Sequence, residues 1–211
     1  MQMSSYTKDK YDKELLVSDN DGYVMMEWEK PYMEKSIDLL NPTGDVLEIG
    51  WGCGYSATRI MEYKPKSYTV IECSPVVIEK AREWAKNYPT ANINIVQGRW
   101  QSKIHELGVF DCIYFDDYPL DVDRNTLNVG IHASIMRFSV FVDLCVQHHM
   151  HVGSRLTACF DTKNHLVYTG TDSLHCINIQ TKIAGNHTIP LITKVKQFVP
   201  IIYRNAHKQM R

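Results

Sequence analysis

The stretch "GDVLEIGWGCGYS" (residues 44–56) joins a short apolar run to a loop that is rich in glycine. The apolar run, residues 46–49, has the length and composition of a buried β-strand. Gly50, Gly52 and Gly54 follow it, and glycine lets the backbone approach a ligand closely while it opens the next helix. This order of strand, glycine loop and helix predicts a site for a nucleotide-like cofactor.

Two acids accompany the loop. Glu48 precedes Gly50 by two positions, and Glu72 ends a second predicted strand, 22 positions after Gly50. An acid at the end of the second strand can bind both hydroxyl groups of a ribose. The alternative is that Glu72 is a solvated strand end, but strand, loop and acid occur in the order that a cofactor site requires.

The spacing of the glycines distinguishes two cofactors. Loops that bind dinucleotides prefer G-x-G-x-x-G, which cradles a pyrophosphate, whereas the third glycine here comes one residue earlier. S-adenosylmethionine carries no phosphate, so its loop need not form a phosphate cradle. The pattern E-x-G-x-G-x-G resembles that of class I methyltransferases and favours S-adenosylmethionine, with NAD as the alternative.

Helix and strand signals alternate along the chain. Helices are predicted over residues 29–40, 56–63, 75–87, 103–107 and 131–150. Strands are predicted over residues 46–49, 67–72, 93–97, 110–115 and 155–160, with candidate last strands at 174–180 and 187–193. This order predicts an α/β fold with a largely parallel sheet covered by helices. Residues 1–23 are predicted to be an N-terminal arm or lid, and residues 24–211 a single domain.

Composition excludes some partners. The 24 acidic and 23 basic residues among 211 give a net charge of −1, which provides no general attraction to nucleic acid or to a membrane surface. The six cysteines form no C-x-x-C pair, and no apolar run has the length of a membrane span. We therefore expect a soluble, cytoplasmic protein with free thiols, and a homodimer is left open.

Five motifs recur in the same order in a known family. They are "VMMEWEKPYM" (24–33), "LEIGWGCGYSA" (47–57), "IECSP" (71–75), "GRW" (98–100) and "FDCIYFDDYPL" (110–120). Over roughly residues 11–120 the chain resembles the guanidinoacetate methyltransferase family, which includes fungal protein arginine δ-N-methyltransferases. The resemblance implies a Rossmann-like class I methyltransferase fold, with a seven-stranded, mostly parallel sheet and helices on both faces. It also implies S-adenosylmethionine as cofactor and S-adenosylhomocysteine as product.

The resemblance also implies site residues. It assigns the cofactor to Gly50, Gly52, Cys53, Gly54, Tyr55, Ser56, Ala57, Glu72, Cys73, Arg99 and Trp100. It assigns the substrate pocket to Met25, Met33 and Tyr118. It identifies Glu29 and Asp116 as the catalytic carboxylates that hold a guanidino group.

The chemistry of methyl transfer to a guanidine suits two carboxylates. A guanidinium has a pKa of roughly 13 to 14, so it is a poor nucleophile until it loses a proton. Its planar N–H donors match the fork of a carboxylate, and a second carboxylate can take the proton. We expect Asp116 to be the base, because it follows a strand at the edge where open parallel sheets bind ligands.

Structural roles are the alternatives for these residues. Glu29 can be an acid that favours the start of a helix, Asp116 can be a turn residue, and the methionines can fill the core. Asp117 departs from the small or hydroxyl residue that is usual in the family, and it predicts a third acid near the pocket. His148, His149 and His151 lie too close together for a good metal site, and no metal is expected.

Two departures from the family bear on the acceptor. Residues 1–23 contain no tryptophan, and the loop "PLDVDRNTLN" (119–128) differs from the family. The first choice of acceptor is a small guanidino molecule such as guanidinoacetate, and the second is an arginine side chain in a protein. A non-catalytic module that binds S-adenosylmethionine is the rival of a different class.

Overall fold

The computed structural model describes residues 4–19, 22–118, 130–159, 177–184 and 187–194, without the side chains of residues 130–136 and 177–188. The strands are β1 (Ser4–Lys8), β2 (Glu14–Ser18), β3 (Tyr23–Met26), β4 (Asp45–Ile49), β5 (Ser67–Glu72), β6 (Ile93–Gln97), β7 (Phe110–Phe115), β8 (Met150–Ala158), β9 (Ile177–Ala184) and β10 (His187–Lys194). The helices are α1 (Lys30–Leu40), α2 (Tyr55–Glu62), α3 (Pro75–Ala85), α4 (Trp100–Lys103) and α5 (Gly130–Leu144).

Seven of the described strands form one sheet in the order β6-β5-β4-β7-β8-β10-β9. Neighbouring strands from β6 to β8 are parallel, whereas β10 is antiparallel to both of its neighbours. The predicted α/β class, with a mostly parallel sheet and helices, is confirmed. The strand order reverses at β4, because β5 pairs on one side of it and β7 on the other.

This reversal point positions the site. Ile49 of β4 lies opposite Phe115 of β7, and Phe115 lies opposite Ala158 of β8. The residues that follow these three strand ends therefore meet at one edge of the sheet. In open parallel sheets, the crevice at such a switch point is where ligands bind.

Alternating side chains along the strands build two cores, one on each face. In β4 and β7, Leu47, Ile113 and Phe115 belong to one buried cluster, whereas Val46 and Tyr114 belong to the other. Alternation follows from the two-residue period of a strand. A sheet that is apolar on both faces requires helices on both, as the family resemblance implied.

Helix α1 matches its prediction. Its buried side chains, Met33, Ser36, Ile37 and Leu40, follow helical spacing. Pro31 lies in the first turn, where proline is tolerated. The helix ends at Asn41, whose left-handed conformation has φ 51°; asparagine is one of the residues that adopt it most readily.

Three short strands, β1 to β3, lie in a segment for which no strand is predicted from the sequence. β1 pairs with β2, and β2 with β3, in an antiparallel sheet. Leu16 in its central strand is only 1% exposed. Leu15, Leu16 and Val17 are consecutive apolar residues without alternation, so only the pairing with β1 and β3 reveals the strand.

Two further boundaries differ from prediction. α5 ends at Leu144 and passes through a π-helical turn, Cys145–His149, and β8 begins at Met150 rather than at residue 155. Pairing of Phe110 with Met150, across an irregularity in the register, extends β8 backwards. The predicted helix at 103–107 is replaced by α4 and a 3-10 turn, Ile104–Glu106.

The described helices include none long and apolar enough to cross a membrane. The cysteines within the described ranges, Cys53, Cys73, Cys112, Cys145 and Cys159, are unpaired, in agreement with the expectation of free thiols.

Candidate functional site

A cavity of about 280 Å³ lies at the carboxyl edge of the sheet, between the sheet and the strands β1–β3. Several residues proposed from the sequence line it: Met25, Gly50, Gly52, Glu72, Cys73, Arg99, Trp100, Asp116 and Tyr118. The N-terminal sheet contributes Ser4, Leu16, Ser18, Val24 and Met25 to the wall. The cavity therefore brings the predicted cofactor and acceptor residues together under the N-terminal sheet.

The glycine loop is packed too closely for other side chains. Gly50 and Gly52 have positive φ values of 79° and 54°. A Cβ at Gly50 would lie 2.2 Å from the backbone oxygen of Asp116, and one at Gly52 would lie 2.4 Å from Cε of Met25. These contacts join the loop to the β7 end on one side and to β3 on the other.

Glu72 organises the cofactor end of the cavity through its carboxylate. Its Oε2 accepts a hydrogen bond from the backbone N–H of Trp51 at 2.9 Å. Its Oε1 accepts from the N–H groups of Cys73 and Ser74 at 2.7 and 2.8 Å. A carboxylate has about four lone-pair sites, so about one site is left for a ribose hydroxyl rather than two.

Trp100 forms the wall on the side of α4. Its Nε1 donates to Oδ2 of Asp117 at 3.0 Å, and its ring packs edge-on against Phe115 and Phe141, with ring centroids 5.9 and 5.2 Å apart. It therefore belongs to the core and to the cavity wall at once. Arg99 precedes α4 and also lines the cavity.

Asp116 is a carboxylate held without a full set of partners. Among the described residues its Oδ2 is buried and has no hydrogen-bond partner, while the Cys159 thiol donates to the carboxylate. Burial, followed by the negative charges of Glu29 and Asp117, raises the pKa of Asp116 to about 7. Such a group can exchange a proton near neutral pH.

Glu29 combines two of the roles considered for it. Its Oε2 accepts from the backbone N–H of Met26 at 2.8 Å, which is a structural role at the start of the turn before α1. Its charge also acts on Asp116, since it is the largest of the three charges, those of Glu29, Asp117 and Glu72, that raise the pKa of that carboxyl. The side chain of Glu29 is not among the residues that line the cavity.

Some proposed site residues lie behind the cavity. Met33 is 1% exposed in the core, which argues against its assignment as a substrate contact. Residues 53–57, which are Cys53, Gly54, Tyr55, Ser56 and Ala57, follow the loop or begin α2 and do not line the cavity. Ser56 instead donates to the buried carboxyl of Glu48. Burial raises the pKa of the Cys53 thiol to about 12, so it is not a reactive thiolate.

Sequence reasoning missed Arg137 and Tyr6. Arg137 lies on α5, lines the cavity and forms an ion pair with Asp117. The hydroxyl of Tyr6 in β1 donates to the carbonyl of Gly52 at 2.5 Å. No motif marks either residue, because each acts on a partner that is remote in the sequence. Asp117, in contrast, was flagged as a third acid and does line the cavity.

The histidines near the end of α5 have other contacts. Nδ1 of His149 lies 2.9 Å from the carbonyl oxygen of Gly108, and Nε2 of His151 lies 2.8 Å from Oδ1 of Asp111. Within the described ranges no group of three or more metal-binding side chains comes together. The loop at residues 119–128 lies outside the described residues.

The cavity fits S-adenosylmethionine by the chemistry of its walls. The loop at Gly50 and Gly52 leaves space for close backbone contact, Glu72 retains an acceptor for a hydroxyl, and Trp100 offers an aromatic wall. Among the described lining residues no phosphate-cradle spacing of glycines occurs, which suits a cofactor without phosphate.

Comparison with known proteins gives the family and the fold. The family model described as guanidinoacetate N-methyltransferase matches residues 3–164. The chain is 36% identical over 126 residues to protein arginine N-methyltransferase 2 of Candida glabrata, covering 53% of this chain and 30% of that protein. It is 32% identical over 180 residues to the protein of the same name from Yarrowia lipolytica, covering 77% and 35%. The chain thus spans about a third of the length of these relatives.

Solved structures match at the level of fold. The SAH-bound Podospora anserina methyltransferase PaMTH1 is 16% identical with a TM-score of 0.53, over 80% of this chain and 78% of that one. Spermidine synthase from Thermotoga maritima is 14% identical with a TM-score of 0.59, over 95% and 72%. These likenesses support the Rossmann-like methyltransferase fold.

The family model covers most of the chain and includes the glycine loop, Glu72 and Asp116. At the level of the family, it confirms the predicted resemblance and the expected S-adenosylmethionine cofactor. The chain belongs to the guanidinoacetate N-methyltransferase family.

Proposed function

We propose that the chain is an S-adenosylmethionine-dependent N-methyltransferase that acts on a guanidino group, and that its acceptor is an arginine side chain in a protein. The observation that carries the proposal is Asp116. It is a cavity carboxylate with an unpartnered oxygen and a pKa raised to about 7, directly beside the glycine loop.

The residues perform the reaction as follows. S-adenosylmethionine, when bound, would supply an electrophilic methyl group; its S–CH₃ bond would break as the C–N bond forms, and S-adenosylhomocysteine would be the leaving group. An acceptor guanidinium would enter as a cation. The carboxylate of Asp116 in the cavity wall would orient its plane, and the negative charge of Glu29 would add to the attraction. Oδ2 of Asp116 then accepts a proton from the attacking nitrogen as the new C–N bond forms. Exclusion of water by Leu16, Val24 and Met25 strengthens these charge interactions.

The charge state of Asp116 gives the proposed reaction a pH dependence. The carboxyl must be ionised to hold a cation and to accept its proton. Because the pKa is about 7 in the free protein, kcat/KM should rise with pH through neutrality and level off above about pH 8. An unperturbed aspartate, with a pKa near 3.9, would place this limb some three units lower.

The relatives favour arginine in a protein over a small molecule as the acceptor. Both relatives described above, and a third from Saccharomyces cerevisiae that is 32% identical, bear the name protein arginine N-methyltransferase 2. Guanidinoacetate is the second candidate, because the family model carries its name.

The test is transfer of radiolabelled methyl groups to arginine-containing peptides, guanidinoacetate and matched lysine peptides. We expect label in the arginine peptides and none in the lysine peptides. Asp116→Asn should lower kcat/KM by about 10² or more, while calorimetry shows nearly unchanged binding of S-adenosylmethionine. Asp12→Asn, at a position 82% exposed on the N-terminal sheet, is the control and should behave as the wild type.

Each alternative has its own outcome. Label only in guanidinoacetate would show that the acceptor is this small molecule and not a protein arginine, while the proposed type of reaction would stand. Binding of S-adenosylmethionine without transfer to any guanidine would instead support a non-catalytic module. Equal loss of binding and transfer in Asp116→Asn would show that Asp116 is not the base.

A further inference from the structure

The charges of Glu29 and Asp117 both act on Asp116, which follows β7, although the proposed reaction uses only two of these three acids. Asp117 differs from the other two in its contacts. Nε of Arg137 donates to its Oδ2 at 3.0 Å, Nη2 of Arg137 donates to the same oxygen, and Nε1 of Trp100 donates to it at 3.0 Å. One of the three acids thus already holds a guanidinium supplied by the chain itself.

We propose that Arg137 is a positioning residue of this site: it pairs with Asp117, so that the acceptor guanidinium binds to Asp116, next to the charge of Glu29. The proposal rests on the proposed function and names the residue that decides which carboxylates the acceptor meets. Arg137 acts through Asp117 and does not itself touch the reacting atoms.

The geometry of the pair supports this role. The side chains of Arg137 and Asp117 are 12% and 13% exposed, and a charge so enclosed is stable only with a partner. Arginine presents paired donors that match a carboxylate, and it stays protonated at any working pH. Its neutralising effect is therefore permanent rather than pH-dependent.

The two neighbouring aspartates face different elements. Asp117 is bonded to α4 through Trp100 and to α5 through Arg137, whereas Asp116 receives the thiol of Cys159 at the end of β8. Because Asp117 accepts hydrogen bonds from side chains of α4 and α5, we expect the acceptor guanidinium to bind on the side of Asp116 and Glu29.

The charges around Asp116 show why neutralisation matters. Glu29 before α1, Asp117, and Glu72 at the end of β5 all raise the pKa of Asp116, and Asp116 in turn raises that of Glu48 in β4. Burial raises the pKa of the Tyr114 phenol in β7, and the charge of Asp116 adds to this rise.

Few positive charges oppose this set of acids. Among the described residues that line the cavity, the cationic ones are Arg99 and Arg137. Arg137 forms an ion pair with Asp117. Its loss would remove this positive charge from the acid next to the proposed base.

The test compares Arg137→Gln, Asp117→Asn and the double variant with the wild type. The pKa of Asp116 is measured by NMR of aspartate labelled with ¹³C in the side-chain carboxyl, and the signal is assigned by its absence in Asp116→Asn. We expect Arg137→Gln to raise the pKa of Asp116 by about half a unit or more, and Asp117→Asn to lower it. The double variant should return it close to the wild-type value.

The pH dependence of kcat/KM gives a second measurement, and we expect its shifts to have the same directions as those of the pKa of Asp116. The ascending limb of kcat/KM should move to higher pH in Arg137→Gln and to lower pH in Asp117→Asn. Glu83→Gln, an exposed acid on α3 paired with Lys86, is the control and should leave the limb unchanged. A purely structural pair would reduce activity in both single variants without opposite shifts, and that result would overturn the proposal.

The two proposals fail separately. The NMR titration needs no turnover, so opposite shifts without methylation of any guanidine would reject the proposed function and keep the Arg137 pair. Methylation of a guanidine, together with an unchanged pKa of Asp116 in all three variants, would keep the proposed function and reject the role of Arg137. If Arg137→Gln does not fold, Asp117→Asn alone still tests the proposal, because it should lower the pKa of Asp116, and an unchanged or raised pKa would overturn it.

Discussion

At the scale of single residues, Glu72 shows how one carboxylate serves both scaffold and ligand. Its spacing from Gly50 predicted contact with a ribose, and it does line the cavity. The structure adds that three backbone N–H groups, on Trp51, Cys73 and Ser74, already converge on it. The glycine loop and the β5 end are therefore held in register by the group proposed to bind the cofactor.

Glu72→Gln should damage both functions. The amide keeps one acceptor oxygen and turns an N–H₂ group towards backbone donors, which leaves a buried N–H without an acceptor at a cost of about 1–3 kcal/mol. We expect weaker binding of S-adenosylmethionine in calorimetry and a lower free energy of unfolding. Glu79→Gln, at an exposed position on α3, is the matched control. Wild-type affinity in Glu72→Gln would contradict this role.

At the scale of elements, the N-terminal sheet is fixed to the cofactor loop by one cluster. The Tyr6 hydroxyl donates to the carbonyl of Gly52, and the Lys80 ammonium of α3 lies 3.8 Å from the centre of the Tyr6 ring. Lys80 also forms an ion pair with Glu14 of β2. These contacts connect β1, β2, α3 and the loop, so they hold the sheet over the cavity.

Tyr6→Phe should weaken the attachment of the N-terminal sheet to the cofactor loop and leave its contact with Lys80 in place. The phenylalanine keeps the ring beneath Lys80 but loses the hydrogen bond to Gly52, which contributes about 0.5–1.5 kcal/mol. Dissociation of S-adenosylmethionine, followed by stopped flow, should accelerate by roughly 2- to 13-fold. Tyr11→Phe, at a position 71% exposed, is the control. Equal dissociation rates in both variants would show that the sheet does not retain the cofactor through Tyr6.

At the scale of the whole molecule, a buried acid links folding to pH. Glu48 lies fully buried in β4, where the hydroxyls of Ser56 and Tyr68 donate to it. Burial raises the pKa of its carboxyl from 4.5 to about 8. Between these values the folded chain binds more protons than the unfolded chain, so the free energy of unfolding falls as the pH rises. Asp116 adds a dependence of the same sign up to about pH 7.

Glu48→Gln should remove much of this dependence. The amide stays neutral at every pH, so the variant does not lose stability through ionisation of residue 48 as the pH rises from 5 to 9. Denaturant unfolding of the wild type should show a decline on the order of a few kcal/mol over that range. The Glu48→Gln curve should be flatter, with a remainder that Asp116→Asn removes. Parallel curves for wild type and Glu48→Gln would mean that Glu48 is ionised in the folded protein.

The sequence was most informative where a segment carries its own pattern. The bounds of β5, β6 and β7 agree with the predicted strands. β5 and β7 are largely buried and read as mostly apolar runs between polar turns, whereas the edge strand β6 is half-buried and rich in β-branched residues. The α1 pattern and the glycine loop were predictable for the same reason. The cofactor and carboxylate assignments came from motifs in a fixed order.

The sequence was least informative where the structure or role of a segment depends on a partner that is distant in the chain. β1–β3 and the early start of β8 depend on pairing between strands, which a local pattern does not encode. Arg137 on α5 resembles any other helix residue until its contact with Asp117 is seen. Tyr6 likewise gains its role only from its contact with Gly52.

The sequence by itself determined a parallel α/β sheet, a glycine loop for a cofactor without phosphate, and Asp116 at a strand end, because each follows from local periodicity or from an ordered set of motifs. Only the tertiary structure decided that Met33 packs in the core, that Glu72 is mostly occupied by backbone N–H groups, and that Asp117 is paired with Arg137. The physical reason is that burial and charge pairing are set by neighbours distant in the chain. These neighbours determine which carboxylate keeps a free oxygen and a raised pKa.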